Sequence, residues 1–292
     1  MSLFRALATL ALAASATVLP ASAHAQLFTF QDNSVGYRYS PFFKEPNIRS
    51  PRNPNGTRIS KNIVTLTHVD SWRYGSNFVN LDYLKSSNAD PAHKSFSGAQ
   101  ELYFIYRGQL SPNKIFGLNA FPAGPIRDIT FEVGFDRNTK NTRFGPQKWL
   151  WVVGPNIQFN VPGFLNVGLH YAQERNHNGI VGRYITFEPT FEVEVTYQFP
   201  LASLVGGAPL RLEGFTNFIS PKGKDAFGRE TSFEVLSQTR LTLDLGQVVF
   251  QKPKILDFSL GFQYWYNKFG NDHNKTKGAI ETAPFFATRI HF

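Results

Sequence analysis

The segment TFEPTFEVEVTYQF, residues 186–199, alternates apolar and polar side chains without a break. Phe187, Pro189, Phe191, Val193, Val195, Tyr197 and Phe199 fall on one face. Glu188, Thr190, Glu192, Glu194, Thr196 and Gln198 fall on the other. A period of two is the pleat of a β-strand. The length of the run is the sharper constraint. Strands of soluble domains usually hold about 5–6 residues, whereas a tilted strand that crosses a bilayer needs about 9–11.

The same grammar recurs. In FEVLSQTRLTLDL (233–245), Phe233, Val235, Leu241, Leu243 and Leu245 share a face with Ser237 and Thr239. Glu234, Gln238, Arg240, Thr242 and Asp244 oppose them, with Leu236 the exception. In ILDFSLGFQYWYNKF (255–269), Leu256, Phe258, Leu260, Phe262, Tyr264 and Tyr266 oppose Asp257, Ser259, Gly261, Gln263, Trp265 and Asn267. The final FFATRIHF sets Phe286, Ile290 and Phe292 against Phe285, Arg289 and His291.

Composition agrees. Charged residues are only 17% of the 292, below the roughly 25% of soluble domains. Aromatics reach 15%, and beyond the N-terminus no apolar run approaches the ~18–20 residues of a membrane helix. Low charge, many aromatics and long alternating segments without a spanning helix predict an all-β fold. The expected form is a transmembrane antiparallel β-barrel with long extracellular loops and short periplasmic turns. A soluble secreted β-sandwich is the competing architecture.

The pattern predicts twelve strands, near 33–44, 59–74, 76–86, 97–110, 126–138, 147–160, 163–177, 186–200, 208–220, 230–246, 255–269 and 279–292. An even count is what a single-chain bacterial barrel requires. RYGSN (73–77) and VPGF (161–164) read as tight turns. Longer polar loops are expected at 45–58, 87–96, 139–146, 178–185, 221–229 and 270–278. Segments 111–125 and 247–254 are long for the short side, and SPNKIFGLNAFPAGP (111–125) predicts a small helix or a periplasmic plug.

Residues 1–25 carry Arg5, an Ala-rich apolar stretch to Leu19, Pro20, and small residues at Ala23 and Ala25. This is the pattern of a secretory signal peptide cleaved after Ala25, leaving one domain over 26–292. With no Cys, the chain relies on no disulfide after export. Closure of a barrel pairs its last strand with its first, so a chain ending within a strand is natural. The terminal Phe292, with aromatics at alternate positions, matches the C-terminal signal that barrel-assembly machinery reads. The expected address is the bacterial outer membrane.

LRLEGFTNFISPKGKD (210–225), with Gly214–Phe218 its sharpest part, resembles the Tsx family of nucleoside-specific channels of the Gram-negative outer membrane. FEVEVTYQFPLASLVGG (191–207), FVNLDYL (78–84) and VVGPNIQFNVPGFLNVGLHYA (152–172) fit the same pattern. The resemblance implies a twelve-stranded, monomeric barrel with a narrow lumen that passes nucleosides. The first long loop, 45–58, is longer and more basic than that pattern.

Alternation assigns a set of side chains to the lumen. The charged members are Asp82, Glu101, Arg107, Glu132, Glu188, Glu192, Glu194, Arg211, Glu213, Arg240 and Arg289. Tyr103, Phe215 and Trp265 join them on the same face. Opposed acids and bases order water and offer hydrogen bonds to neutral polar solutes. The rings offer stacking surfaces worth about 1–3 kcal/mol per nucleobase. The bland reading is that these charges pair with one another and fill a polar core.

The net charge of +9 includes Arg5, and much of the rest lies in expected loops. That charge reads as ordinary solvated surface, or as contact with anionic solutes and lipopolysaccharide phosphates. Nucleic acid is not an expected partner, since no basic helix concentrates the charge. His68 with Asp70, His170 with Glu174, and Ser232 or Ser259 sit in no nucleophile motif, and His177, His273 and His291 lack metal-ligand spacing. Neither enzymatic activity nor a cofactor is expected. The leading function is a passive outer-membrane channel for nucleosides or similar small polar solutes. The alternative is a surface barrel, an adhesin or a phage or colicin receptor, acting through its loops.

Overall fold

The computed structural model describes residues 28–48, 54–204 and 206–292. The expected signal peptide lies outside the described residues. The strands are β1 (Phe28–Phe43), β2 (Ile59–Trp72), β3 (Gly75–Ser86), β4 (Gln100–Leu110), β5 (Ile126–Lys140), β6 (Trp149–Phe159) and β7 (Phe164–Asn178). They continue as β8 (Arg183–Thr186), β9 (Thr190–Pro200), β10 (Leu210–Ile219), β11 (Glu234–Asp244), β12 (Leu256–Tyr266) and β13 (Glu281–His291). Two short helices, α1 (Pro112–Phe116) and α2 (Leu245–Phe250), lie between strands.

Each strand pairs antiparallel with its chain neighbours, except that β9 pairs with β7 across the short β8. β1 closes on β13 with Val35 opposite Ile290, Tyr37 opposite Thr288 and Tyr39 opposite Phe286. The result is a closed antiparallel barrel of twelve strands, with β8 as an extra strand hydrogen-bonded to β7. Closure leaves no sheet edge among the twelve, which is what a hydrocarbon environment demands of backbone amides and carbonyls.

The side-chain distribution is inverted relative to a soluble protein. Val64, Leu66, Leu102, Phe131, Trp151, Tyr171, Phe191, Leu241, Leu260 and Ile290 are exposed on the outer wall. The interior instead buries Glu132, Glu192, Glu213, Asp257, Glu281, Arg107 and Lys61. Burying charge inside while exposing aromatics outside is stable only where the outer surface meets lipid. The barrel therefore spans a bilayer. Gly214 illustrates how tightly the outer wall packs. The Tyr197 ring lies over it, and a Cβ at this position would sit 2.8 Å from the Tyr197 hydroxyl and 2.3 Å from the Gln238 carbonyl oxygen.

Twelve of the thirteen strands match the expected segments; β8 was expected to be loop. The strand expected from 186 begins at Thr190, because Pro189 has no amide proton to give the ladder. Phe187 and Glu188 are therefore not on β9. The strand expected from 97 begins at Gln100, since Ala99 donates instead to the Asp90 carbonyl within its own loop. Residues 230–233 also leave the expected strand, as Thr231 donates to the Gly223 carbonyl and closes the preceding loop. Segment 111–125 holds the small helix. Ser111 caps α1 by accepting from the Lys114 amide at 3.1 Å, Pro112 starts it, and Gly117 ends it at φ 64°. The two longer segments on the short-turn side thus gain helices, α1 and α2, while 73–74 and 160–163 stay tight.

Candidate functional site: the lumen

One cavity of about 2390 Å³ runs through the barrel. Arg143, Asp225 and Lys275 line it at the loop end, and Lys114, Arg127 and Lys254 line it at the tight-turn end. Three tiers of ionic side chains project into it, the lower two from strands and the uppermost from strands and loops together.

The uppermost tier ties loops to the wall. Lys268 follows β12, and its ammonium lies 2.9 Å from Glu281 Oε2 on β13 and 3.7 Å from Glu45 Oε1 in the first loop. Lys61 approaches Glu45 Oε1 to 2.6 Å, and Lys140 reaches both Glu45 at 3.1 Å and Asp90 at 2.8 Å. All six side chains are buried or nearly so. Burial alone would raise the Glu45 carboxyl, but Lys140, Lys268 and Lys61 outweigh it and hold the group well below the usual carboxylate range. Burial likewise opposes the Lys268 charge, yet Glu281 and Glu45 keep its ammonium above the ordinary lysine value. Glu101 enters this tier at its lower edge, accepting from Asn138 Nδ2 at 2.8 Å. Trp265 donates its indole N–H to Glu234 at 2.6 Å, and its ring centre lies 4.5 Å from the Lys268 ammonium.

The middle tier centres on Arg107 of β4. It contacts Asp136 at 2.8 Å, Glu194 at 3.5 Å and Glu132 at 3.6 Å. Three strands separate β4 from β9, so the Arg107–Glu194 contact spans part of the lumen rather than adjacent strands. Tyr103 donates to Asp136 at 2.7 Å and accepts from Lys148 at 3.0 Å. Glu192 accepts from Asn217 at 2.8 Å, and His170 Nε2 lies 3.4 Å from Glu132 Oε1. On the other wall, Asp82 meets Arg38 at 3.5 Å and accepts from Thr65 at 2.8 Å.

The lowest tier gathers Arg211, Arg240 and Arg289 around Glu213 and Asp257. Arg240 Nε donates to Glu213 Oε1 at 2.7 Å, and Arg289 Nη2 lies 3.0 Å from both Glu213 and Asp257. Arg211 bonds Asp257 and lies 3.2 Å from Glu213. His291 bridges Asp257 at 2.9 Å and Asp32 at 2.9 Å. Phe215 lines the cavity on β10 above this tier.

Every expected lumen residue on a strand faces the cavity: Asp82, Glu101, Tyr103, Arg107, Glu132, Glu192, Glu194, Arg211, Glu213, Phe215, Arg240, Trp265 and Arg289. Glu188 does not join them. It lies exposed between β8 and β9, where its amide donates to the Lys222 carbonyl. The three rings are not brought together: among the described residues no ring contact joins Tyr103, Phe215 and Trp265. Alternation also carried the signal for Asp136, four residues after Glu132, and for Asp257. It held none for Glu45, Asp90 or Lys268, whose positions depend on loops folding back over the mouth.

On the β4–β9 side of the middle tier Glu132, Asp136, Glu192 and Glu194 outnumber Arg107 and Lys148. On the β10–β1 side the guanidiniums of Arg38, Arg211, Arg240 and Arg289 stand among the carboxylates of Asp32, Glu213, Asp257 and Glu281. Such a lumen presents carboxylate acceptors on both flanks and gathers most of its guanidinium donors on one. Among the described residues, no group of three or more His, Cys, Asp and Glu side chains is arranged to hold a metal ion.

No family model matches the sequence, and no curated protein matches it. Solved structures similar to it include the KdgM porin, at TM-score 0.43 and 8% identity over 89% of this chain and 99% of that one. The translocator domain of autotransporter NalP from Neisseria meningitidis reaches TM-score 0.46 and 12% identity over 90% of this chain and 89% of that one. A BenF-like porin from Pseudomonas fluorescens Pf-5 reaches TM-score 0.34 and 7% identity over 91% of this chain and 99% of that one.

Proposed function

We propose that the protein is a passive outer-membrane channel for small polar solutes, with nucleosides as the solute class. The observation that carries the channel reading is the cavity of about 2390 Å³ lined by residues from both rims of a closed barrel. Most of its charges are paired, so the lumen is polar without a large net field, which suits neutral solutes rich in hydrogen-bonding groups. The nucleoside class rests on the Tsx resemblance around Gly214–Phe218 and on Phe215, a lumen ring that no hydrogen bond or ion pair engages. Outer-membrane placement rests on the barrel architecture, which in bacteria belongs to that membrane.

Reconstitution of the full chain in planar bilayers tests the reading. A small steady conductance is expected, reduced in a concentration-dependent way by nucleosides. Absence of any conductance overturns the channel. Conductance indifferent to every nucleoside overturns the solute class alone. The receptor alternative draws less support, because Glu45, Asp90 and Lys268 tie three long loops down onto the mouth.

A further inference from the structure

We propose that the membrane-facing rim of β5–β8 binds a phosphorylated lipid of the outer leaflet. The proposal rests on outer-membrane placement and not on the pore. Arg137 on β5, Trp149 on β6 and Arg175 on β7 are direct cross-strand partners. The row continues from Arg175 to β8. Arg137 follows Val133 and Phe135 in steps of two along β5, and Arg175 follows Leu169 and Tyr171 along β7. Both arginines therefore lie on the lipid face. They sit at the loop end, beside the 141–148 loop and opposite the tight turns.

The state of these arginines differs from that of every arginine in the three lumen tiers. Arg107, Arg211, Arg240 and Arg289 are each held by carboxylates. Among the described residues, Arg137 and Arg175 have no carboxylate partner and no side-chain hydrogen bond; the neighbouring Arg143 and Arg183 have none either. Instead the Arg137 guanidinium lies 3.5 Å over the Trp149 ring, and Arg175 lies 4.5 Å over Tyr184. Stacking fixes each plane and leaves its N–H edges free.

Among the described residues no carboxylate lies within 4.0 Å of either arginine, and Glu188, the acid next along the chain from β8, has its carboxyl against Gly223. Of the strand carboxylates, only Asp70 points outward, and it lies at the other end beside the 73–74 turn, bound to His68 and Asn77. Tryptophan and tyrosine mark the headgroup level of a bilayer, where an arginine costs far less than at the midplane. Flanking Trp149, Arg137 and Arg175 start two strand spacings apart, about 10 Å. Both can reach one headgroup. Fixed, unpaired guanidinium edges at that level are the donors that phosphate oxygens accept in pairs. β8 supplies Tyr184, the ring that holds Arg175, and this gives the extra strand a role.

The test is native mass spectrometry of the full-length protein in detergent with bis-phosphorylated lipid A. The wild type is expected to retain the lipid, and R137Q/R175Q to bind at least tenfold more weakly. Fully dephosphorylated lipid A is expected to bind the wild type as weakly as the variant binds the phosphorylated form. Equal retention by the variant, or equal retention of the dephosphorylated lipid, overturns the proposal. If the double variant does not assemble, R175Q alone, on the more exposed arm, is read the same way. Bilayer conductance of the variant is expected to match wild type, so loss of the channel reading and loss of this one are separable.

Discussion

Replacing Lys268 with Met probes whether the ionic knot at the mouth holds the loops down. The side chain is 2% exposed and gives its ammonium to Glu281 at 2.9 Å and to the Lys44 carbonyl at 2.7 Å, with Glu45 at 3.7 Å. Met keeps most of the volume and removes the charge. Glu281, whose side chain is 0% exposed, then keeps only the Lys44 amide at 2.6 Å and Gln263 at 2.7 Å. Removing one partner of a buried pair costs about 3–5 kcal/mol, most of it the penalty on the charge left behind. The K268M/E281Q pair removes that charge and is expected to recover at least half of the loss. Urea titration in lipid vesicles, followed by heat-modifiable gel migration, measures stability. Single-channel recording, on the channel reading, is expected to show larger and noisier currents for K268M as the 267–280 loop releases. Stability within about 0.5 kcal/mol of wild type, the range of ordinary surface substitutions, would refute the reasoning. So would a double variant as unstable as the single one.

The same knot has a pH dependence with a definite sign. The Glu45 carboxyl is held low when folded, so its contribution is present above the ordinary carboxylate range and is lost as pH falls through the folded value. The Lys268 ammonium is held high, so its contribution is present below the ordinary lysine value and is lost only as pH rises through the raised one. Limited proteolysis of the loop region is therefore expected to stay slow across neutral pH and to accelerate only well below about pH 4. On the outer wall, V193K or L241K is expected to cost about 2–4 kcal/mol and to impair assembly, as charge at the bilayer midplane does. Spin labels at those positions should report an apolar environment; an aqueous signal would refute the membrane assignment. In the lumen, F215A is expected to weaken nucleoside block by about 1–3 kcal/mol, roughly 5- to 150-fold, with open conductance retained. Block unchanged in F215A would remove the stacking role.

The sequence by itself determined the barrel. Which strand residues face lipid and which face water follows from a period of two, because successive Cβ atoms point to opposite faces and one bilayer surface selects apolar side chains. Period two alone separates Val193 and Val195 from Glu192 and Glu194 and makes the inward position of Phe215 and Arg240 legible in the sequence. Only the tertiary structure decided which charges meet. Arg107 finds Glu194 three strands beyond its own neighbour, and Arg289 finds Glu213 on β10. These contacts depend on the closure and stagger of the barrel, which no local pattern encodes. The loops escaped for a similar reason. Glu45, Asp90 and Lys268 have no periodicity, and their meeting over the mouth is set by long-range pairing alone. β8 is four residues long and runs between Gly182 and Phe187, too short for alternation to separate it from loop.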